Sequence, residues 1–409
     1  MKKYLKEEFN NFISDEYKNA IGEAVDVAEA YGVKIYLIGG IVRDLIMNNP
    51  IHDIDITVEG DAIEFMVLLE KSSKFKIISI QENLRTAKLM HKSGAVIDFA
   101  STREEYYLKG GMLPVAQNFG CSIEKDVKRR DFTVNTLALN LTGEEKYKLI
   151  DFYNGFSDIL NKQIRILHDK SFIDDPSRIV RTIKFQLRLG FDIEDKTADL
   201  MEKYLQNTDE TIPLERIKNE LKQYFSIKKE NVYSNLIEKK VYKLVCNNPV
   251  KRFDVSVLKN LNGFFNFEDM GQFYFLILLL KSDYENPRLN LTAEEKKIIK
   301  DTWDLLKTNY AEIKDNIGIY NTFIKKAEFS LFIYFAINGD TNVLKFLNEL
   351  KPIKLLITGR DLIQAGFKPS PYFSEALTET LNEKLSGNLK TKEQELEFAI
   401  TFLKKISSL

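Results

Sequence analysis

The sequence predicts an α+β protein, a small mixed-sheet head followed by all-helical segments, and three observations carry that reading. Short apolar runs separated by polar turns occupy roughly the first 150 residues, where strands are expected. Beyond Tyr224, apolar residues recur with the 3.6-residue period of helices, broken by polar punctuation. At 409 residues the chain exceeds one ordinary core, so about two to four domains are expected. We place the boundaries at 1–150, 151–225, 226–345 and 346–409.

Composition narrows the class without naming a function. The 44% hydrophobic and 29% charged content is an ordinary soluble balance. A net charge of −1 gives no global sign of a nucleic-acid partner, although a neutral total can hide a basic stripe. Local basic clusters occur at 125–130 and at Arg178, Arg181 and Lys184. Cys121 and Cys246 are too far apart in sequence for a disulfide framework or a metal-ligand spacing, and with three histidines no structural zinc is expected. Residues 1–11 are charged and lead into no apolar run, so no signal peptide is expected. The run 273–280 is too short to span a bilayer, and a cytoplasmic location is the expectation.

In chain order, 14–31 reads as an amphipathic helix with Ser14 as N-cap and Gly32 closing it; Ala20, Ile21, Ala24, Val27 and Ala28 form its apolar face. Residues 34–38 form a strand that stops at Gly39-Gly40, a short helix starts at Ile41, and a second strand carries Asp53 and Asp55. A helix over 61–71 and β segments over 75–80, 86–91 and 95–100 follow. The stretch 102–120, with Gly110-Gly111 and Pro114, reads as a functional or mobile loop. A β segment over 146–150 leads to a turn at Asp151 and Gly155. Later helices are expected over 231–239, 254–260, 270–280, 293–309 and 317–336.

The chemistry concentrates around residues 36–57. Side chains two apart on a strand share a face, so Asp53 and Asp55 project into one space. Like charges that close are unfavourable unless a cation lies between them, and a hard ion such as Mg²⁺ takes oxygen ligands. Gly39 and Gly40 let backbone N–H groups approach a phosphate, and the helix start beyond them favours an anion. A phosphate cradle beside a carboxylate pair, with Arg43 one turn into the cradle, reads as metal-assisted nucleotidyl transfer. Asp98, in an apolar strand, is either a buried structural acid or a third carboxylate that ligates metal or takes a proton.

Arg130 and Asp131 offer donors and acceptors suited to a ribose beside a triphosphate, while Asp131 can equally cap a helix starting near Phe132. Asp174-Asp175-Pro176 opens a long helix on which Asp175 and Arg178 lie one turn apart. That pair can hydrogen-bond a base edge, and Arg181 and Lys184 continue at i+3 steps toward phosphates. The plainer reading is a capped helix with its cations solvated.

Gly39-Gly40-Ile41-Val42-Arg43-Asp44, followed by Asp53-Ile54-Asp55, resembles the nucleotidyltransferase superfamily. Within it, the pattern is that of the class II branch, which contains CCA-adding enzymes and bacterial poly(A) polymerases. Arg129-Arg130-Asp131-Phe132-Thr133-Val134-Asn135 matches a second motif, with Thr136 in place of alanine. The run Asp174-Asp175-Pro176-Ser177-Arg178 is similar to the family's Glu-Asp-x-x-Arg. Asp174 there replaces glutamate, and Lys184 replaces an arginine, exchanging a bidentate fork for a point charge. Glu215-Arg216-Ile217 through Glu220-Leu221 resembles a further pattern, read as bracing the neck, and Thr358 to Leu362 resembles a tail element.

The resemblance is dense over 36–221 and implies a head, neck, body and tail at the four segments above. It implies Mg²⁺ on Asp53 and Asp55, with Asp98 completing an acidic triad. Gly39, Gly40, Arg43, Arg181 and Lys184 would then face phosphates, Arg130 and Asp131 the ribose, and Asp175 with Arg178 would select CTP or ATP in place of a template. The implied reaction is addition of CCA to the 3′ end of tRNA with release of pyrophosphate. Addition of A alone or CC alone, and poly(A) synthesis, are alternatives within the family; the undeleted 102–120 stretch weighs against CC alone. From other classes, a non-catalytic RNA-binding scaffold is opposed by the intact carboxylate pair, and a small-molecule nucleotidyltransferase by the long helical part.

Overall fold

The computed structural model describes residues 3–51, 53–208, 213–261, 263–281, 289–308 and 310–407. His52, within the first motif, and Asn309, the expected end of a helix, lie outside them. Among the described residues, nine strands form in the head: β1 (Lys34–Ile38), β2 (Ile54–Glu59), β3 (Phe75–Gln81), β4 (Thr86–His91), β5 (Val96–Ser101), β6 (Glu104–Tyr106), β7 (Val115–Gln117), β8 (Ala138–Asn140) and β9 (Leu149–Ile150). Seven make one sheet in the order β3-β4-β5-β2-β1-β8-β9. Within that sheet β2 and β5 run parallel, while its other pairs are antiparallel.

β1 is buried at Ile35 through Ile38 because it is interior to the sheet and a helix lies against it. That helix, Asp15–Ala30, buries Ala20, Ile21, Ala24, Val25 and Ala28. Val25 takes the place expected for Val27, because positions 21, 25 and 28 form the stripe that a 3.6-residue period aligns. Each large aliphatic side chain buried this way contributes about 1.5–3 kcal/mol. The helix Ala62–Lys71 is capped by Asp61, whose carboxylate accepts from the Ile63 and Glu64 amides.

The 102–120 stretch is not structureless. Its ends pair as the antiparallel β6–β7 hairpin, Glu104 opposite Gln117 and Tyr106 opposite Val115. Three-residue strands are too short to show an alternation, so the sequence shows a loop where the backbone forms a ladder. The β segment expected over 146–150 narrows to Leu149–Ile150. A helix near Phe132 is replaced by a single 3-10 turn, Thr133–Asn135, which feeds directly into β8.

The chain divides into two compact units, Met1–Leu244 and Val245–Leu409. The first holds the sheet and the helices Gly155–Leu160, Ser177–Leu189, Asp195–Gln206 and Glu215–Phe225, the last packed on Ser177–Leu189. Thus the neck segment shares a unit with the head, and 226–244 packs there too. Asp151 caps Gly155–Leu160 by accepting from the Gly155 and Phe156 amides. Gly155 cannot carry a side chain, since a Cβ would lie 2.2 Å from the Thr133 carbonyl oxygen.

The second unit is helical among its described residues, built on Met270–Leu279, Ala293–Leu306, Asn316–Phe323, Glu328–Asn338, Tyr372–Leu385 and Lys392–Ser407. Phe273 through Leu280 are all buried in its core, which explains their apolar character. No described helix is long and apolar enough to cross a membrane. The helix expected over 317–336 breaks at Ala327, whose amide donates to Asp301 at 2.8 Å. Thr358 and Asp361 form a capping box at the start of Gly359–Gln364, where the tail motif enters its helix.

Candidate active site

Strand register assembles the acidic centre. Asp55 on β2 lies directly opposite Asp98 on parallel β5, and Asp98 lies opposite Lys88 on antiparallel β4. Opposite positions on neighbouring strands share a sheet face, so Lys88, Asp98 and Asp55 form a row across three strands. Asp53 sits just before β2, one residue outside the strand expected to carry it. The Lys88 Nζ lies 3.1 Å from Asp98 Oδ2. Asp98 is therefore neither buried nor structural in the sense of a core acid; its side chain is 46% exposed.

The Asp55 carboxyl is pushed above its ordinary value, first by partial loss of hydration and next by the Asp98 charge. Arg130 opposes the rise and Asp53 adds to it. Asp55 is nonetheless exposed at the surface, so the neighbouring Asp98 and Asp53 charges act on it across the mouth of the site. Among the described residues no three acidic, imidazole or thiol groups form a metal cage of their own. A divalent ion seated here would draw its remaining ligands from phosphate oxygens and water.

The glycine turn stands beside this centre. Gly39 has φ +79°, a left-handed conformation, and a Cβ there would sit 3.0 Å from Arg130 Nη1. Its amide donates to the Leu137 carbonyl, so the cradle donors are the amides that follow, at the head of Gly40–Ile46. Arg130 thus lies against the glycine turn and within electrostatic reach of Asp55. Its Nη2 donates to the buried Asp126 at 3.2 Å, while its buried Nε has no hydrogen-bond partner. An orphaned guanidinium N–H beside a glycine cradle fits an oxyanion of a phosphate group or a ribose oxygen.

Asp126 anchors this corner. It accepts from the Arg103 amide, Arg129 Nε and Arg130 Nη2. Burial works to raise its carboxyl, and the two guanidinium groups outweigh that and hold it below the ordinary range. In the sequence it is one acid inside a basic run, and nothing there distinguishes it.

The other expected site residues are placed in an interlocked network. Arg43 is buried, with Nη1 on Asn135 Oδ1 at 2.7 Å, two bonds to Asp44, and its guanidinium 5.5 Å from the Phe185 ring. Asp131 accepts from the Phe132 amide and Asn135 through Oδ1, and from Arg181 through Oδ2 at 2.5–2.8 Å. Burial raises the Asp131 carboxyl, but Arg181 and the hydrogen bonds pull it below its ordinary value. Arg181 also donates to Glu220 at 3.0 Å, and Lys184 donates to Glu220 and to Gln223. Neither Arg181 nor Lys184 stands as a free phosphate donor in this arrangement.

Asp175 and Arg178 lie together as expected, with Arg178 Nε 3.9 Å from Asp175 Oδ2, and both are buried. Arg178 donates to Ser171 Oγ, the Arg129 carbonyl and, at 3.5 Å, Tyr107 of the 102–120 stretch. Asp175 Oδ1 accepts from the Ser177 amide and hydroxyl. Its Oδ2 accepts from Arg216 Nη2 at 2.6 Å. Arg216, read from sequence only as a brace, therefore touches the Asp175 carboxylate itself.

A mixed sheet with an acidic row beside a glycine turn defines a nucleotidyltransferase head. Residues 35–165 match the family model described as the poly A polymerase head domain. The A-adding tRNA nucleotidyltransferase of Halalkalibacterium halodurans is 29% identical over 406 residues, covering 96% of this chain and 94% of that protein. A CCA-adding enzyme solved in its apo form II superposes with TM-score 0.79 at 26% identity, covering all of both chains. The Thermotoga maritima CCA-adding enzyme complexed with tRNA-CCA has TM-score 0.72 at 25% identity, covering 98% of this chain and all of that one. Residues 35–165 thus carry a poly A polymerase head domain, the chain is similar over nearly its whole length to A-adding and CCA-adding tRNA nucleotidyltransferases, and it is a nucleotidyltransferase.

Proposed function

We propose that the chain is a cytoplasmic tRNA nucleotidyltransferase that takes nucleotides from CTP and ATP, joins them to the tRNA 3′ end and releases pyrophosphate. The observation that carries it is the acidic row Asp55–Asp98, with Asp53, facing an Arg130 guanidinium whose Nε lacks a partner beside Gly39 and Gly40. Asp53 and Asp55, with Asp98 alongside, fit a divalent ion, and we take it to be Mg²⁺, bound as a pair. A divalent ion held by these carboxylates would supply positive charge at the triphosphate and make the attacking hydroxyl easier to deprotonate.

The chain's own residues supply the rest. The amides at the head of Gly40–Ile46 and Arg130 hold phosphate oxygens, with Arg130 reaching the ribose edge. Asp98 takes the proton of the attacking 3′-hydroxyl when Lys88 releases it. Arg43, Asp131, Arg181 and Lys184 keep the walls in place through Asn135 and Glu220, and Arg181 meets phosphate by exchanging one of these partners. Asp175 and Arg178 present an acceptor and donors to the Watson–Crick edge of the incoming base.

Two extents of addition compete. The full CCA reading is supported by the fold likeness to CCA-adding enzymes over the whole chain, and the A-only reading by the near full-length relative that bears the A-adding name. Incubating the purified protein and Mg²⁺ with tRNAs ending at the discriminator base, at C and at CC separates them. Growth of all three with CTP and ATP together supports CCA addition; growth of the CC end alone, with ATP, supports A addition. Failure to extend any of them would overturn the tRNA reading.

A further inference from the structure

In the second unit, a cavity of about 570 Å³ opens between Lys251, Arg252, Lys281 and Trp303, with Pro249 and Ile337 in its lining. None of the described lining residues is acidic. Lys251, Arg252 and Lys281 are exposed, and none has a hydrogen bond or ion pair among the described residues. This contrasts with the neighbouring charges. On the Trp303 helix, Asp301 and Asp304 are neutralised by Lys326, and Asp304 also by Lys307. Trp303 is half-buried, between the buried Thr302 and the partly buried Asp304, and Lys307 Nζ lies 5.9 Å from its ring centroid. It is the single tryptophan of the chain.

We infer that this cavity is an RNA anchor, in which the three unpaired cations hold consecutive phosphates and the indole stacks an unstacked base of the substrate tRNA. Cations with no acidic partner among the described residues keep their attraction for a polyanion, and a partly exposed indole is a stacking platform that accepts any base. The near-neutral net charge of the chain therefore hides a local positive site within the second unit. This inference rests on the tRNA reading above. It adds a place where the RNA is held while its 3′ end is extended.

The single tryptophan makes the site directly visible. Titrating the full chain with tRNA should quench or shift Trp303 emission, whereas ATP or CTP alone should leave it unchanged. Replacing Lys251, Arg252 and Lys281 together by Gln should raise the KM for tRNA about tenfold or more and lower the salt dependence of binding by about two to three in slope. Trp303→Ala should weaken tRNA binding about 5- to 100-fold, with Trp303→Phe largely restoring it. The rate at saturating tRNA and the KM for nucleotide should be unchanged in all of them. If tRNA is extended normally while Trp303 emission and the variants' KM stay at wild-type values, the anchor is refuted and the tRNA reading stands. Equal quenching by ATP alone would refute it in favour of a mononucleotide site. If the wild-type protein neither binds nor extends tRNA, both fall.

Discussion

Asp55 and Asp98 face each other in register across the parallel strand pair β2 and β5, and each Coulombic cost of that placement argues for a cation. Replacing Asp55 by Asn should lower nucleotide incorporation on the order of 1000-fold, the equivalent of several kcal/mol of transition-state charge stabilisation. The fold should survive, with thermal stability of the metal-free protein equal to or slightly above wild type, because a like-charge contact is removed. Incorporation and melting measured on the same preparation check this; near-normal incorporation would contradict the metal seat.

The raised Asp55 carboxyl sets a pH dependence. Its folded-state value lies above the ordinary 3.8, so in the metal-free protein its stabilising contribution is complete below that value and is lost as pH rises through the folded value. A divalent ion displaces the same proton. Mg²⁺ should therefore raise the melting temperature more at about pH 8 than at about pH 5, by an amount that Asp55→Asn abolishes. Melting curves with Mg²⁺ and with chelator at both pH values test it, and an equal Mg²⁺ effect at both would rule it out.

What the sequence could and could not show follows from the range of the interactions. β1, β3 and β4 were legible because apolar runs bounded by turn residues are local signals, and the carboxylate spacing at Asp53 and Asp55 is equally local. The β6–β7 hairpin was not, because three residues carry no period. Lys88 opposite Asp98 depends on strand register, and Arg216 on Asp175 joins residues 41 apart. Neither relationship leaves any mark on the residues between. Arg181 and Lys184 have the spacing of a solvated helix face, yet Glu220 on another helix takes both.

That shared acceptor makes Glu220 a stability determinant. Lys184 is mostly buried, and burial presses its ammonium below the ordinary lysine value even with Glu220 beside it. Glu220→Gln removes the compensating charge from Lys184, while Arg181 keeps Asp131 as its partner, and leaving a buried cation without its partner costs about 3–5 kcal/mol at most. A lowered denaturant midpoint of the first unit, with little change in the second, is the expected result. An unchanged midpoint would mean that solvent already screens the trio.

Arg216 controls where the Asp175 carboxylate points. Its Nη2 holds Oδ2 at 2.6 Å, Ser177 holds Oδ1, and Arg178 is left 3.9 Å away, so the Asp175 and Arg178 side chains proposed to read the base stand beside each other without a direct hydrogen bond. Without Arg216, Oδ2 is free to close on Arg178, and both groups would then satisfy each other instead of a base. A charge-assisted hydrogen bond of about 1.5–3 kcal/mol corresponds to about a 10- to 150-fold change. Arg216→Ala should therefore lose discrimination between the correct nucleotide and UTP or GTP by about that factor, with tRNA affinity unchanged. Arg216→Lys, which keeps the charge but not the fork, should recover part of it. Single-nucleotide incorporation with each triphosphate in turn gives the ratio directly, and a ratio equal to wild type in Arg216→Ala would show that Ser177 alone fixes Asp175.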